Sequence, residues 1–250
     1  MRRIVPGMCH DDASRPPSPP IVGEVAGSGL FDLSAADGAR FAAYWADPAP
    51  GSGKNIVILP DVRGLHPYYE HLAVRFAEAG FHAVAIDYFG RTHGVAERDD
   101  DFDWQKAIPG VQPAHVQADV AAAAAHLTAK SPGPVFTVGL CFGGSQSWRL
   151  AAGPVELAGC MGFYGRPSMV ADVEDGIHRP MLLLVAGADF ATPLADFEDF
   201  DRRLSAAGCD HEMHVYEGAP HSFFDRSFAE WDGACQDAWR RMLAFTDAHA

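Results

Sequence analysis

The chain has 250 residues, 48% hydrophobic and 21% charged, which is enough apolar chain for one sizeable buried core. A formal net charge of −14 excludes nucleic acid and anionic membrane surfaces as natural partners. The longest apolar run, Met181-Leu182-Leu183-Leu184-Val185-Ala186, is far too short to span a bilayer.

Arg2-Arg3 is followed by a Pro-, Ser- and Asp-rich stretch instead of an apolar segment, so no export signal is expected. Residues 1–24 read as an extended arm, because Arg15-Pro16-Pro17-Ser18-Pro19-Pro20 favours polyproline backbone. Cys9-His10-Asp11-Asp12 offers metal-ligand chemistry, but no second cluster joins it; a solvated tail without a metal is expected. The five cysteines, Cys9, Cys141, Cys160, Cys209 and Cys235, are scattered and form no disulfide framework, which suits a reducing cytoplasm.

Residues 25–250 read as a single α/β domain. Phe41-Ala42-Ala43-Tyr44-Trp45 is an early strand after an Asp37-Gly38 turn, and Asn55-Ile56-Val57-Ile58-Leu59 is a fully apolar one. Residues 68–79 carry Tyr69, Leu72 and Phe76 at helical spacing and stop at Gly80. Strands follow at 82–86, 135–138, 157–163, 181–186 and 212–216, with helices at 116–129 and 194–207 between them. Ser227-Phe228-Ala229-Glu230 has the form of a capping box opening a last helix, whose Phe228, Trp231, Cys235, Trp239, Met242 and Phe245 recur as a core stripe. Short apolar strands separated by helices predict a mostly parallel sheet covered on both faces, with function at the carboxyl ends of the strands.

One stretch has no apolar period. Residues 92–113 carry Asp99, Asp100, Asp101 and Asp103 and read either as a lid, with Trp104 its contact to a ligand, or as a solvated surface insertion.

Gly139-Leu140-Cys141-Phe142-Gly143-Gly144 follows the strand Val135-Phe136-Thr137-Val138 and precedes a helix. That is the strand–turn–helix setting of a nucleophile elbow, with cysteine in place of serine. The turn would lift the thiol above the sheet and aim the Phe142 N–H at a developing oxyanion. A buried structural cysteine is the plainer reading of these residues taken alone. Two further loops add to the first reading. Asp189 stands directly after the strand at 181–186, and His221 after the last strand, in the chain order nucleophile, acid, histidine. Asp189 would orient the imidazole and His221 would take and return a proton. A helix N-cap is the alternative for Asp189, and a surface loop histidine for His221.

The elbow, Gly187-Ala-Asp-Phe-Ala-Thr-Pro193, Pro220-His-Ser-Phe-Phe224, Leu59-Pro-Asp-Val-Arg-Gly-Leu65 and Ile86-Asp-Tyr-Phe-Gly-Arg91 together resemble the dienelactone hydrolase (carboxymethylenebutenolidase) family. The resemblance implies an α/β-hydrolase fold, a Cys141–His221–Asp189 triad, no metal or cofactor, and hydrolysis of a lactone or activated ester through an acyl-thioester. It also implies Asp61 as partner of the resting thiol, Val62 as second oxyanion donor, Arg91 as ligand of a substrate carboxylate, and Tyr164 as pocket wall or core. A second arginine of the family is replaced by Asp225, with Arg226 one step on as a substitute. The expected partner is a small lactone or ester. A non-catalytic binding or sensing module on the same fold is the competing reading, and a thiol redox protein lacks a Cys-x-x-Cys pair.

Overall fold

The computed structural model describes residues 14–99, 101–225 and 229–250. Arg2-Arg3, Cys9-His10-Asp11-Asp12, Asp100, Arg226, Ser227 and Phe228 lie outside them.

Eight strands form one sheet in the order β1-β2-β4-β3-β5-β6-β7-β8. They are β1 (Glu24–Ser34), β2 (Arg40–Ala49), β3 (Asn55–Leu59), β4 (His82–Ile86), β5 (Val135–Leu140), β6 (Gly159–Phe163), β7 (Met181–Ala186) and β8 (His211–Tyr216). The pairs β1–β2 and β2–β4 are antiparallel and the remaining pairs parallel. Helices α1 (Pro67–Glu78), α4 (Pro113–Lys130), α5 (Phe142–Leu150), α6 (Leu194–Ala207) and α7 (Asp232–Ala248) cover the sheet, with single turns α2 (Gly90–His93) and α3 (Trp104–Ala107) inserted before α4. This is an α/β-hydrolase fold.

The uninterrupted apolar strands follow from burial on both faces. Ile56 and Ile58 of β3 join Leu72 and Phe76 of α1 and Trp239 and Phe245 of α7 in one core, while Val57 and Leu59 face Val120 of α4, Trp148 of α5 and Phe200 of α6 in another. The stripe Cys235, Trp239, Met242 and Phe245 is buried as the spacing predicts, and α7 begins at Asp232 after a 3-10 turn at Ala229–Trp231.

The strand β1 is absent from the sequence reading. It has no long apolar run, because Gly27-Ser28-Gly29 separates Val25-Ala26 from Leu30-Phe31, and exposed and half-exposed residues alternate along its whole length. It holds by pairing along β2, with a bulge between Val25 and Gly27. Gly27 lies under the Trp45 ring, where an added Cβ would come within 3.0 Å of the indole.

Residues 14–20 run alongside α7. The Trp239 Nε1–H donates to Pro17 O (3.1 Å), Gln236 Nε2 donates to Ser18 O (3.3 Å), and Arg15 N–H donates to the Asp225 carboxylate (3.1 Å).

Candidate active site

The candidate residues gather at the carboxyl ends of the parallel strands, where an α/β sheet presents its loops. Cys141 links β5 to α5 with φ 56° and ψ −115°, a conformation unfavourable for any residue with a Cβ. The flanking glycines are imposed by space. A Cβ on Gly139 would stand 1.9 Å from Gly143 O, and one on Gly143 would stand 2.0 Å from Leu59 O. Glycine at 139 lets the start of α5 fold back over the end of β5, and glycine at 143 lets α5 come this close to the end of β3. Among the described residues, the other non-glycine positive-φ positions are Tyr164 and Ser222, one on the cavity wall and one next to His221. Backbone strain is thus concentrated at one place on the molecule.

Asp189 stands in the loop after β7, and its Oδ1 accepts from Ala191 N–H at 2.7 Å. Its Oδ2 is 2.7 Å from His221 Nδ1, and both side chains are out of solvent. On its other side the imidazole is hydrogen-bonded to Cys141. Burial alone would lower the basicity of His221. Hydrogen bonds to Asp189 and Cys141, with the charges they bear, outweigh it and push the imidazole up to about 9. An unperturbed imidazole titrates near neutrality, and His221 departs upward from it. The loop carrying it is clamped by the Tyr68 hydroxyl on Phe224 O and by Cys235 Sγ on Phe223 O (3.3 Å).

Above these groups lies a cavity of about 320 Å³. Cys141, His221, Phe142, Val62, Ser145 and Tyr164 form its floor and near wall; Trp104, Ile108, Met169, Phe190, Ala191 and Arg166 form the rest. Cys141 opens onto it, with Val62 early in the loop that follows β3 and Phe142 at the first position of α5. The first-turn N–H groups of a helix have no partner within it, so the Phe142 N–H is available to an oxyanion. Among the described residues, no group of three or more His, Cys, Asp or Glu is placed to hold a metal ion, and no helix is long and apolar enough to cross a membrane.

Residues 41–250 match the dienelactone hydrolase family. The chain belongs to that family. Its relatives include a "Putative carboxymethylenebutenolidase" of Methylorubrum extorquens, 28% identical over 217 residues that make up 80% of this chain and 74% of the relative. Similar solved structures include a "Putative Dienelactone Hydrolase" from Klebsiella pneumoniae, with a TM-score of 0.74 at 24% identity, covering 88% of this chain and 98% of the other. The chain is a dienelactone hydrolase-like hydrolase.

Several family positions are used differently here. Arg91 does not line the cavity. Its guanidinium is shared between Asp37 and Asp119, the latter 2.7 Å away on α4 and almost fully buried. The two acids occupy the guanidinium that the resemblance assigns to a substrate carboxylate, and they lie far along the chain from the motif. Burial raises the Asp119 carboxyl to about 6, and Arg91 restrains the rise. Arg91→Ala should leave a buried acid unpaired and destabilise the fold by about 3 kcal/mol at pH 8. The loss should shrink at pH 5, where Asp119 takes up a proton, and the KM ratio of anionic to neutral esters should not move. Denaturation at the two pH values, with KM for both esters, checks this.

Asp61 is fully buried and held by Arg63, through its backbone N–H (2.9 Å) and its guanidinium (3.0 Å); its neighbour Val62 faces the cavity. The motif acid Asp87 is likewise structural, accepting from Leu65 and Phe89 N–H groups and pairing with Arg98 at 2.8 Å. Tyr164 and Trp104 both line the cavity, while Arg226 lies outside the described residues. The arginine on the cavity wall is Arg166, whose backbone N–H is fixed by Ser145 Oγ at 2.8 Å. Sequence reasoning missed it. The available signal was its place in Gly165-Arg166-Pro167, directly after an apolar strand whose carboxyl end faces the site.

Proposed function

We propose that the protein is a cysteine hydrolase of lactones or activated esters, with Cys141 as nucleophile, His221 as proton carrier and Asp189 as its orienting acid. The observation that carries this reading is the single chain of contacts from a strained, cavity-facing thiol through His221 to a buried carboxylate. Binding alone requires neither the strain nor the ordered imidazole.

In this reading the resting Cys141–His221 contact is a thiolate–imidazolium pair, steadied by the Asp189 carboxylate on the far side of the ring. The thiolate attacks the carbonyl carbon, and the Phe142 and Val62 N–H groups receive the oxyanion. Collapse breaks the bond to the leaving oxygen, which takes the proton from His221. The acyl-thioester then carries no charge on sulfur, so one of the influences that raised the imidazole is gone. Neutral His221 can now remove a proton from water. The hydroxide adds to the thioester carbonyl, the thiolate departs, and His221 is left protonated as at the start. The same side chain thus serves as acid and then base because its partner's charge disappears between the two halves. Asp61 and Arg63 form a buried, internally neutralised pair behind this centre, and we assign Asp61 to the support of the thiol site. Arg166, in place of Arg91, is the cavity-wall cation available to an anionic substrate group, and Trp104 closes the opposite side from the 92–113 insertion.

Acid-quenched intact mass analysis during turnover of a small lactone and ester panel tests the assignment. An acyl-sized mass increase confined to the Cys141 peptide is expected; turnover with an adduct elsewhere, or with none under burst conditions and unaltered by Cys141 alkylation, overturns it.

A further inference from the structure

The cavity is larger and more apolar than its reacting centre needs. Among the described residues, the large apolar side chains left exposed are Ile21, Val22, Leu30, Val95 and Phe190. Of these Phe190 alone lines the cavity, and at 73% it is the most exposed of the set. Its ring stands edge-on to the His221 imidazole, with centroids 5.2 Å apart and planes at 61°. Small-molecule sites are concave and lined mostly by apolar and aromatic side chains, so a ring on the cavity wall is surface that a bound ligand would cover.

Its position says which part of the ligand. In the mechanism proposed above, on which this inference rests, His221 hands its proton to the leaving oxygen. The leaving alcohol must therefore lie beside the imidazole, and Phe190 is the wall next to it. We infer that Phe190 is a specificity-determining residue that packs on the leaving alcohol, and that this alcohol is an untethered, apolar group of ring size such as a benzyl group. An apolar cavity of roughly 150 Å³ already holds a benzene ring, so about 320 Å³ accommodates such a ring and an acyl chain together. A lactone keeps its leaving oxygen tied to the acyl part and gains less from this wall. The preferred substrates are accordingly open-chain esters of apolar alcohols.

The test compares benzyl acetate with methyl acetate, which share an acyl group and release alcohols of similar acidity. In the wild-type enzyme the ratio of kcat/KM, benzyl over methyl, should be about tenfold or more, carried mainly by KM. Phe190→Ala should reduce that ratio by about tenfold, and Phe190→Leu should restore part of it, because a branched alkyl wall keeps apolar area without the ring. Phe190 is exposed, so neither variant threatens the fold. A wild-type ratio near one, or a ratio that Phe190→Ala does not change, overturns the inference. If a lactone or either ester still acylates Cys141 in that case, the hydrolase reading stands and this inference alone falls; if neither acetate nor any lactone or activated ester of the panel acylates Cys141, both fall.

Discussion

Replacing Cys141 by alanine should lower kcat by about 10⁴-fold or more, the size of loss that follows removal of a nucleophile from a set of groups acting together. Melting temperature should change little, because the thiol contributes little packing at the cavity floor. Cys141→Ser keeps the shape but not the chemistry: a hydroxyl holds its proton far more tightly than a thiol, so the ion pair with His221 is lost and partial activity at best remains. Cys141→Gly adds a structural control. With φ at 56° the position favours a residue without a Cβ, so this inactive variant should be more stable than the parent, by about 1 kcal/mol. Full esterase activity in the alanine variant would remove Cys141 from the reaction.

Asp189→Asn should cost roughly 10²–10⁴-fold in kcat, since the amide no longer fixes the imidazole tautomer or balances its charge. Its signature lies in the pH dependence. Burial opposes the His221 charge, and the Asp189 hydrogen bond is first among the contacts that overcome it. In the variant the titration of His221 should move down from about 9 toward or below neutrality. The sign for stability follows. A folded-state value above the ordinary 6.5 stabilises the protein fully below that pH and stops doing so as pH rises through about 9. The variant should therefore be destabilised most near pH 6 and least above pH 9. Histidine NMR titration beside kinetic pH profiles checks this; an unmoved upper limb would reduce Asp189 to a loop cap.

Much of this site was legible because its chemistry is bound to strand ends. The strands β3, β4 and β7 are buried on both faces and so read as unbroken apolar runs, and the loops that follow them carry Asp61, Asp87 and Asp189. The elbow glycines were legible for a steric reason that the backbone distances make explicit. Other features depend on partners remote in sequence. Arg91 sits in a family motif, yet its partners are Asp37, in the turn between β1 and β2, and Asp119, brought to it by the packing of α4 on β1 and β4. Nothing in Gly165-Arg166-Pro167 is periodic or clustered, so its place after β6 is the one sequence signal for the wall arginine, and the cavity lining brings it out. The strand β1 escaped because edge strands need a ladder more than they need an apolar run. His221 shows a different gap: residue identity sets an ordinary pKa, and only the closed contact with Asp189 and Cys141 reveals how far the group departs from it.

The segment at residues 14–20 rests on α7, and it reaches Asp225 in the histidine loop. These contacts join residues more than 200 positions apart. On the ribosome, residues 14–20 must wait for α7, more than 200 positions later. At about 5–20 residues per second, synthesis of a chain this long takes on the order of 10–50 s. The central strands and the Cys141 elbow can assemble during that interval, but the loop that sets the imidazole cannot be clamped until α7 has emerged. A nascent chain from which Cys141 has emerged therefore lacks, for some seconds, both His221 and the helix that clamps the histidine loop.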